Sequence, residues 1–284
     1  VQLPDATLEE WCRVATDRRM GALIEAFRRG WSIEQVYEIT SITRWFLHRF
    51  QKIAMMEKEI VDARISPAEI SIESMIRWKS HGFTDAHIAD GLSGFPAEGY
   101  KSIPKGMDER AVMLRRHELG IHPRYRMVDS CAAEFAAKTP YYYSTYETHT
   151  QFGIDLLPNI DSRTKERIVT IGSGPIRIGQ GIEFDYGCVH AVKAIRESGK
   201  DAILINNNPE TVSTDFDTSD RLYFDPLTLE FVSEILLREM AHGILLQFGG
   251  QTAINLAEPL EKRLPDLRTQ GLNLEIIGTS CDAI

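Results

Sequence analysis

The chain has 284 residues, of which 43% are hydrophobic and 26% charged, and its formal net charge is −9. This length suffices for two domains of ordinary size, and the composition is typical of a folded globular protein. The charge divides into −1 for residues 1–150 and −8 for residues 151–284. We therefore expect no nucleic-acid partner, because binding a polyanion requires a basic face.

The sequence gives no sign of a membrane or metal protein. No run of about 18 apolar residues occurs, and the first residues lack a secretory signal pattern. The four cysteines, Cys12, Cys131, Cys188 and Cys281, are far apart, and the histidines form no HxxxH or HExxH motif. We therefore expect no membrane partner, no metal site and no disulfide framework. A cytoplasmic location is expected, or a mitochondrial one if the source is a eukaryote.

Residues 1–150 show helical periodicity only. A helix is expected around residues 20–27 with Gly30 as its cap, and Ser32 with Gln35 forms a capping box for the next one. The apolar residues of Ile42–Ala63 predict a central helix buried on more than one side. Further helices are predicted over Ile72–Lys79, over Asp85–Gly91 with Thr84 as its cap, and over Asp108–Leu119. Residues 138–167 are predicted as a connector, whose aromatic run fits either packing between domains or an ordinary strand.

The second half alternates strand and helix patterns. The predicted strands are Arg167–Gly172, Asp201–Asn206, Leu222–Phe224, Gly243–Phe248 and Leu274–Ile277. Because parallel neighbours need crossover connections, this alternation predicts a parallel sheet of about five strands with helices on both faces. The predicted fold class is α + α/β, an all-helical domain followed by a Rossmann-like domain. Functional residues of such a sheet lie at the carboxyl ends of its strands.

Three polar, glycine-containing loops follow predicted strands and are expected to meet at this edge. Their residues are Gly172, Gly174, Arg177, Gly179, Gln180, Gly181, Glu183 and Asp185 after the first strand; Asn208, Glu210, Thr211, Thr214, Asp215 and Asp220 after the second; and Gly249, Gly250, Gln251 and Thr252 after the fourth. Their convergence predicts a site or a passage. Asp185 is also well placed to cap the following helix, and this alternative stays open.

The first loop does not match the motifs for dinucleotides or ATP. Gly172 and Gly174 fit the dinucleotide fingerprint, but Arg177 occupies the position of its third glycine. The second strand ends at Asn206 and two further asparagines, where a ribose-binding acid is required. No GxxxxGK motif followed by Ser or Thr occurs. We therefore expect neither an oxidoreductase nor a cofactor site in this chain.

Two long segments carry a family resemblance. GSGPIRIGQGIEFDYGCVHA at residues 172–191 and NNNPETVSTDFDTSDRLYF at residues 206–224 closely resemble the start of the second synthetase half of the carbamoyl phosphate synthase large chain. VDSCAAEF at residues 128–135, TPYYYSTYE at residues 139–147 and WFL at residues 45–47 resemble the region before it. Ser130 departs from the family pattern, where Thr is more frequent.

The resemblance implies a domain organisation. Residues 1–150 would be the helical oligomerisation domain with its connector, and residues 151–284 the pre-ATP-grasp domain of the carbamate-phosphorylating half. The whole enzyme is an ATP-dependent carbon–nitrogen ligase. It makes carbamoyl phosphate from bicarbonate, ammonia or glutamine, and two ATP, for pyrimidine and arginine or urea biosynthesis.

The resemblance also implies the role of this segment. Gly181, Glu183 and Glu210 would line the carbamate passage, and no catalytic residue would lie here, so the segment alone would be inactive. The full enzyme would use ATP with Mg or Mn, and K. Its partners would be the remaining large chain with two ATP-grasp halves, a glutaminase subunit or fused domain, and further copies in a homo-oligomer. The alternative is an independent, non-catalytic scaffold or binding module, which ATP-grasp motifs in a longer reading frame would exclude.

Overall fold

The structure is a computed structural model that describes residues 3–94, 108–132, 134–135, 139–147, 165–175, 179 and 181–283. The chain forms two compact units, Val1–Ile121 and His122–Ile284. None of the helices in the described ranges is long and apolar enough to cross a membrane. All four cysteines are free thiols.

The first unit is helical in its described residues. Its helices are α1 (Asp5–Arg13), α2 (Arg19–Arg28), α3 (Ile33–Thr40), α4 (Arg44–Ala63), α5 (Ile72–Ser80), α6 (Asp85–Leu92) and α7 (Glu109–Glu118). The predicted helices are confirmed, and so are the Ser32–Gln35 capping box and the positive φ of Gly30. Thr84 caps α6 as expected, because its hydroxyl accepts a hydrogen bond from the His87 backbone N–H.

Helix α4 packs against α2, α3 and α6 but leaves part of its surface open to solvent. The predicted burial on more than one side holds for Leu47 and Met56, which are nine residues apart and so lie on opposite sides of the helix. It does not hold for Trp45 and Met55, which are 57% and 65% exposed. Apolar content predicted burial, but the sequence does not show how many neighbours surround a helix.

A buried ionic cluster joins α5, α6 and α7. The Asp85 carboxylate accepts hydrogen bonds from Lys79 Nζ at 3.0 Å and from Arg116 Nη2 at 2.9 Å. Burial alone would raise the pKa of Asp85, but the charges of Lys79 and Arg116 outweigh it and hold the pKa below its ordinary value. Three short helices are thereby fixed to one another by a single carboxylate.

Replacing Asp85 by Asn should destabilise the helical unit by about 3–5 kcal/mol, because two buried cations lose their carboxylate. Hydrogen exchange of the α6 and α7 amides measures this loss. Asp90→Asn on the same helix is the control, since the half-buried Asp90 makes no ion pair in the described part of the chain. An equal effect of both substitutions would contradict the role given to the cluster.

The second unit contains one seven-stranded sheet. Its strands are β1 (Arg124–Met127), β2 (Tyr141–Thr145), β3 (Arg167–Ile171), β4 (Asp201–Ile205), β5 (Arg221–Tyr223), β6 (Gly243–Leu245) and β7 (Glu275–Ile277). Their order is β1-β2-β5-β4-β3-β6-β7, and all neighbours are parallel except β1 and β2. The helices are α8 (Glu183–Glu197), α9 (Leu229–Glu239), α10 (Gly250–Ile254) and α11 (Ala257–Thr269).

Helices cover both faces of this sheet, as predicted. On one face, Ile168 and Leu204 pack with Val192 of α8. On the other, alternate residues of the same strands, including Val169 and Ile203, pack with α9 and α11. Because successive side chains of a strand point to opposite faces, one apolar strand contributes to both cores. The sheet is therefore buried on both sides, and its exposed polar groups lie at the strand ends.

The structure adds two strands that helical periodicity did not predict. The five predicted strands are present, but β1 and β2 also form an antiparallel ribbon within residues 122–147. The ribbon joins the sheet where β2 pairs in parallel with β5, with Tyr141 opposite Leu222 and Tyr142 opposite Tyr223. Strand β1 lies before the expected connector, and β2 lies within it, so the strand alternative for the aromatic run is correct. Both strands belong to the second unit.

Candidate functional site

The three predicted loops do converge at the carboxyl edge of the sheet. Strand β3 has β4 on one side and β6 on the other, so the chain reverses its direction across the sheet at β3. The loops that follow β3, β4 and β6 therefore begin side by side at a topological switch point. This is the usual place for a site in an open α/β sheet.

The side chain of Asn206 connects the first two loops. Its Oδ1 atom accepts hydrogen bonds from the backbone N–H groups of Gly174 at 3.0 Å, Asn207 at 2.9 Å and Asn208 at 3.4 Å. A Cβ atom at Gly172 would lie 2.5 Å from Asn206 Cγ, so only glycine leaves room for this side chain. The sequence indicated Asn206 only as the absence of a ribose-binding acid.

The third loop packs directly on the first. A Cβ atom at Gly249 would lie 2.5 Å from the carbonyl oxygens of Ile171 and Gly172, so this position also requires glycine. Gly250 has a φ of +59° and lies against the Phe184 ring. The remaining predicted residues of this loop, Gln251 and Thr252, lie in the first turn of α10. The third loop therefore positions the first and presents no cluster of charged groups.

Asp185 connects α8 with the second loop. Its two carboxylate oxygens accept from the Ser213 backbone N–H at 3.1 and 3.3 Å, and its side chain is buried. The alternative that Asp185 is the cap of its helix is wrong, because α8 begins at Glu183 and its N-cap residue is Ile182. Asp185 instead holds the short 3₁₀ turn Val212–Thr214 against the first turn of α8.

One acid of the second loop lies away from this edge. The Asp220 carboxylate accepts from the Ala202 backbone N–H at 2.8 Å, at the beginning of β4, so its expected place at the carboxyl edge is wrong. Asp215, which directly follows the 3₁₀ turn Val212–Thr214, is exposed.

Thr211 and Thr214 have a structural place in the second loop. The Thr214 hydroxyl donates to the Thr211 carbonyl oxygen at 2.8 Å, and Thr214 is buried. The two residues close the 3₁₀ turn through this contact and through the Thr214 backbone N–H, which donates to the same oxygen. Thr211 and Thr214 therefore stabilise the shape of the loop, and the exposed polar side chains of interest in this loop are its acids.

Two exposed acids remain in the loops at this edge, Glu183 and Glu210. Glu183 Oε1 accepts from the Gly181 backbone N–H at 3.2 Å. Hydrogen bonds from its own backbone N–H and from that of Gly181 hold the pKa of Glu183 below its ordinary value. Glu210 is exposed, and its backbone N–H donates to Asn208 Oδ1 at 3.1 Å. Within the described part of the chain, the Glu210 carboxylate makes no hydrogen bond or ion pair.

Arg177 and Gln180, which were also predicted for the first loop, lie outside the described residues. Gly179 has a φ of +88° and space around it. The residues of the three loops that the structure describes include no lysine or arginine. The described edge therefore presents carboxylates and glycines to solvent.

Sequence reasoning missed Asp225, a buried acid that follows β5 at the same edge. Its Oδ1 accepts from the Ser144 backbone N–H at 3.1 Å and from the Ser144 hydroxyl. Its Oδ2 is buried without a hydrogen-bond partner in the described part of the chain. Burial raises the pKa of Asp225 to about 6, against the opposing effect of the Ser144 hydrogen bonds. The sequence feature that could have indicated Asp225 is its position directly after a predicted strand, in the segment RLYFDP at residues 221–226.

Comparison with known families identifies both units. Residues 2–119 match the family model for the carbamoyl-phosphate synthetase large chain, oligomerisation domain. Residues 164–284 match the model for the carbamoyl phosphate synthase preATP-grasp domain. The first match lies within the helical unit, and the second begins just before β3.

Curated relatives agree with these matches. The chain is 45% identical over 280 residues to the carbamoyl phosphate synthase large chain of Methanothrix thermoacetophila, covering 99% of this chain and 23% of the relative. It is 46% identical to that of Methanosarcina mazei, covering 94% and 22%, and 42% identical to that of Myxococcus xanthus, covering 99% and 23%. The chain thus spans less than a quarter of the length of these relatives.

Replacing Asn206 by Leu should destabilise the sheet unit by about 2–4 kcal/mol, because buried backbone N–H groups lose their acceptor. Hydrogen exchange of the β3 and β4 amides measures the loss. The control is Asn207→Ala, at the exposed neighbouring side chain, which should cost under about 1 kcal/mol. Similar losses in both variants would contradict the connecting role of Asn206.

The raised pKa of Asp225 predicts a specific pH dependence. The unfolded chain releases this proton near pH 4 while the folded chain retains it to about pH 6, so the free energy of unfolding falls as the pH rises between these values. The loss is about 3 kcal/mol for a shift of about two pKa units. Asp225→Asn should remove it, as measured by hydrogen exchange of the β5 amides. A constant difference between wild type and variant across this range would contradict the prediction.

Proposed function

Since the chain belongs to the carbamoyl phosphate synthase large-chain family, we propose that it contributes to the ATP-dependent synthesis of carbamoyl phosphate from bicarbonate and ammonia. In this reaction ammonia converts carboxyphosphate to carbamate, and a second phosphorylation follows. The product serves pyrimidine and arginine or urea biosynthesis. The proposed partners are the rest of the large chain and a glutaminase that releases ammonia from glutamine.

We propose that neither ATP binding nor phosphoryl transfer takes place on this chain. An ATP–metal site needs cationic groups or backbone N–H groups for the phosphates. The described residues of the three loops contain no lysine or arginine, and Asn206 already binds the N–H groups of Gly174, Asn207 and Asn208. Because these residues do not fit ATP, both phosphorylations would occur elsewhere in the large chain, and this segment alone would be inactive.

The proposed role of the sheet unit is carbamate passage. The observation that supports it is that two neighbouring loops at the carboxyl edge each carry an exposed acid, Glu183 in contact with Gly181 and Glu210 in the second loop. Hydrogen bonds from backbone N–H groups to Asn206 and Asp185 hold the backbone of both loops in place. Gly181 adds no side chain of its own to this edge.

In the full large chain, Gly181→Phe should reduce the rate of carbamoyl phosphate synthesis at least tenfold, while bicarbonate-dependent ATP hydrolysis continues. A Cβ at this position meets only the flexible Glu183 carboxylate, so folding should tolerate the side chain. Product formation and ATP hydrolysis are measured together, and Gly181→Ala is the control for size. Parallel loss of both activities, or loss of neither, would contradict the passage.

The proposed role of the helical unit is assembly with a second copy. Helix α4 exposes Trp45, Phe46 and Met55 to solvent. Trp45 and Met55 also line a groove of about 420 Å³. Exposed apolar groups arranged along one helix are a typical interaction surface.

The archaeal and bacterial relatives give no support to a mitochondrial location, and we propose a cytoplasmic one.

Trp45→Ala combined with Met55→Ala in the full large chain should weaken self-association at least tenfold, because the aromatic anchor and its apolar neighbour are lost. Sedimentation over a range of concentrations measures this effect. Met20→Ala is a matched control, since Met20 is 56% exposed on α2. Unchanged association of the double variant would exclude α4 as the contact.

A further inference from the structure

One side of helix α4 carries a row of side chains whose charge changes sign along the helix, and we name this row the α4 stripe. Its members recur at spacings of three and four residues, which places them on the same side of a helix. The members in chain order are His48, Lys52, Met55, Glu59 and Asp62, all exposed except Glu59, which is half-buried. The stripe is therefore basic in its first half and acidic in its second.

The α4 stripe is complementary to itself when its direction is reversed. His48 and Asp62 each lie seven residues from Met55, which is about 10 Å along the helix axis. Lys52 lies three residues before Met55, and Glu59 lies four residues after it. A second α4 laid antiparallel across Met55 would therefore place each basic residue of the stripe opposite an acid.

The basic half of the stripe adjoins an apolar surface. The groove described above is lined by Trp45 and Met55 and also by His48 and Lys52 of the stripe. The guanidinium of Arg49 lies 4.8 Å from the centre of the Trp45 ring and so holds the ring in place. A partner that fits this groove needs apolar groups at its centre and acids beside them.

The acidic half of the stripe has groups of this kind in fixed positions. Trp78 Nε1 on α5 donates to Glu59 Oε1 at 2.9 Å, and Arg77 donates to the same oxygen. Asp62 lies one turn further along and makes no hydrogen bond or ion pair in the part of the chain that the structure describes. Its charge is therefore available to a partner.

We propose that α4 packs antiparallel against α4 of a second copy, about a two-fold axis that passes near Met55. His48 of each copy then lies opposite Asp62 of the other, and Lys52 lies opposite Glu59. The inference rests on the proposed assembly of the helical unit and adds the orientation of its contact and the charged residues that select it.

The charges favour this arrangement over the alternatives. In a parallel two-fold contact every residue meets its own copy, so Lys52 would face Lys52 and Asp62 would face Asp62. Like charges across an interface oppose association, whereas opposite charges fix the register of the partners. A partner of unrelated sequence gives no reason for the charge of the stripe to reverse about the middle of the helix.

The first test determines the orientation by crosslinking in the full large chain. In the antiparallel contact the two copies of residue 48 lie about 21 Å apart along the axis, and each lies opposite residue 62. A short bismaleimide should therefore join co-expressed His48→Cys and Asp62→Cys chains, as identified by mass spectrometry, and should not join two His48→Cys chains. The wild-type chain controls for the native cysteines. A crosslink between two copies of residue 48, or no crosslink between residues 48 and 62, would overturn the inference.

The second test exchanges the charges and measures self-association of the full large chain by sedimentation. His48→Glu and Asp62→Lys should each weaken association at least fivefold, because the two-fold axis repeats every repulsive contact. The double variant should return to within twofold of wild type, since the opposite charges are then restored with the positions exchanged. Glu38→Lys on α3, at an exposed acid, controls for the change in net charge.

The outcomes separate this inference from the proposed assembly. Single variants without effect, or a double variant that is as weak as the single ones, would overturn the antiparallel arrangement. Loss of association in the Trp45→Ala and Met55→Ala double variant would still identify α4 as the contact in that case. If that apolar variant associates normally, the assembly role of α4 fails together with the arrangement proposed for it.

Discussion

The contact between Asn206 and Gly172 fixes the geometry on which the rest of the carboxyl edge depends. One amide oxygen accepts from the backbone N–H groups of two loops, and it fits only because residue 172 has no side chain. Related sheets use the N–H groups of such a loop to bind phosphate. Here Asn206 occupies the Gly174 N–H of that loop, and the described part of an edge with the topology of a nucleotide site presents carboxylates to solvent.

The sequence predicted those parts of the fold that depend on local pattern. Buried strands such as β3 and β4 are short apolar runs, and the caps at Ser32 and Thr84 are signalled by neighbouring residues. Strand β1 was not predicted, and the sequence could not decide between a strand and domain packing for the aromatic run of β2, because β2 becomes a strand by pairing with β5, about 80 residues later. The exposed side of α4 is likewise a property of its neighbours.

The same distinction applies to the site. Glycines, acids and asparagines directly after strands indicated the correct edge of the sheet. Their individual roles depend on distant partners: Asp185 binds Ser213, and Asp220 binds Ala202 at the opposite edge. Asp225 was missed because its partner, Ser144, is about 80 residues away in the sequence. The sequence therefore shows that a polar residue follows a strand. The role of that residue can be assigned only when the structure shows which distant residue it binds.

The ribbon has a further consequence for the behaviour of the sheet. It is attached to β5 through the short pairing at Tyr141 and Tyr142, supported by the hydrogen bonds from Ser144 to Asp225. If it detached, the backbone groups of β5 would become an open edge, and such an edge is a template for strands of other molecules. The hydrogen bonds between Ser144 and Asp225 therefore help to keep the β5 edge paired, and loss of that pairing would favour aggregation.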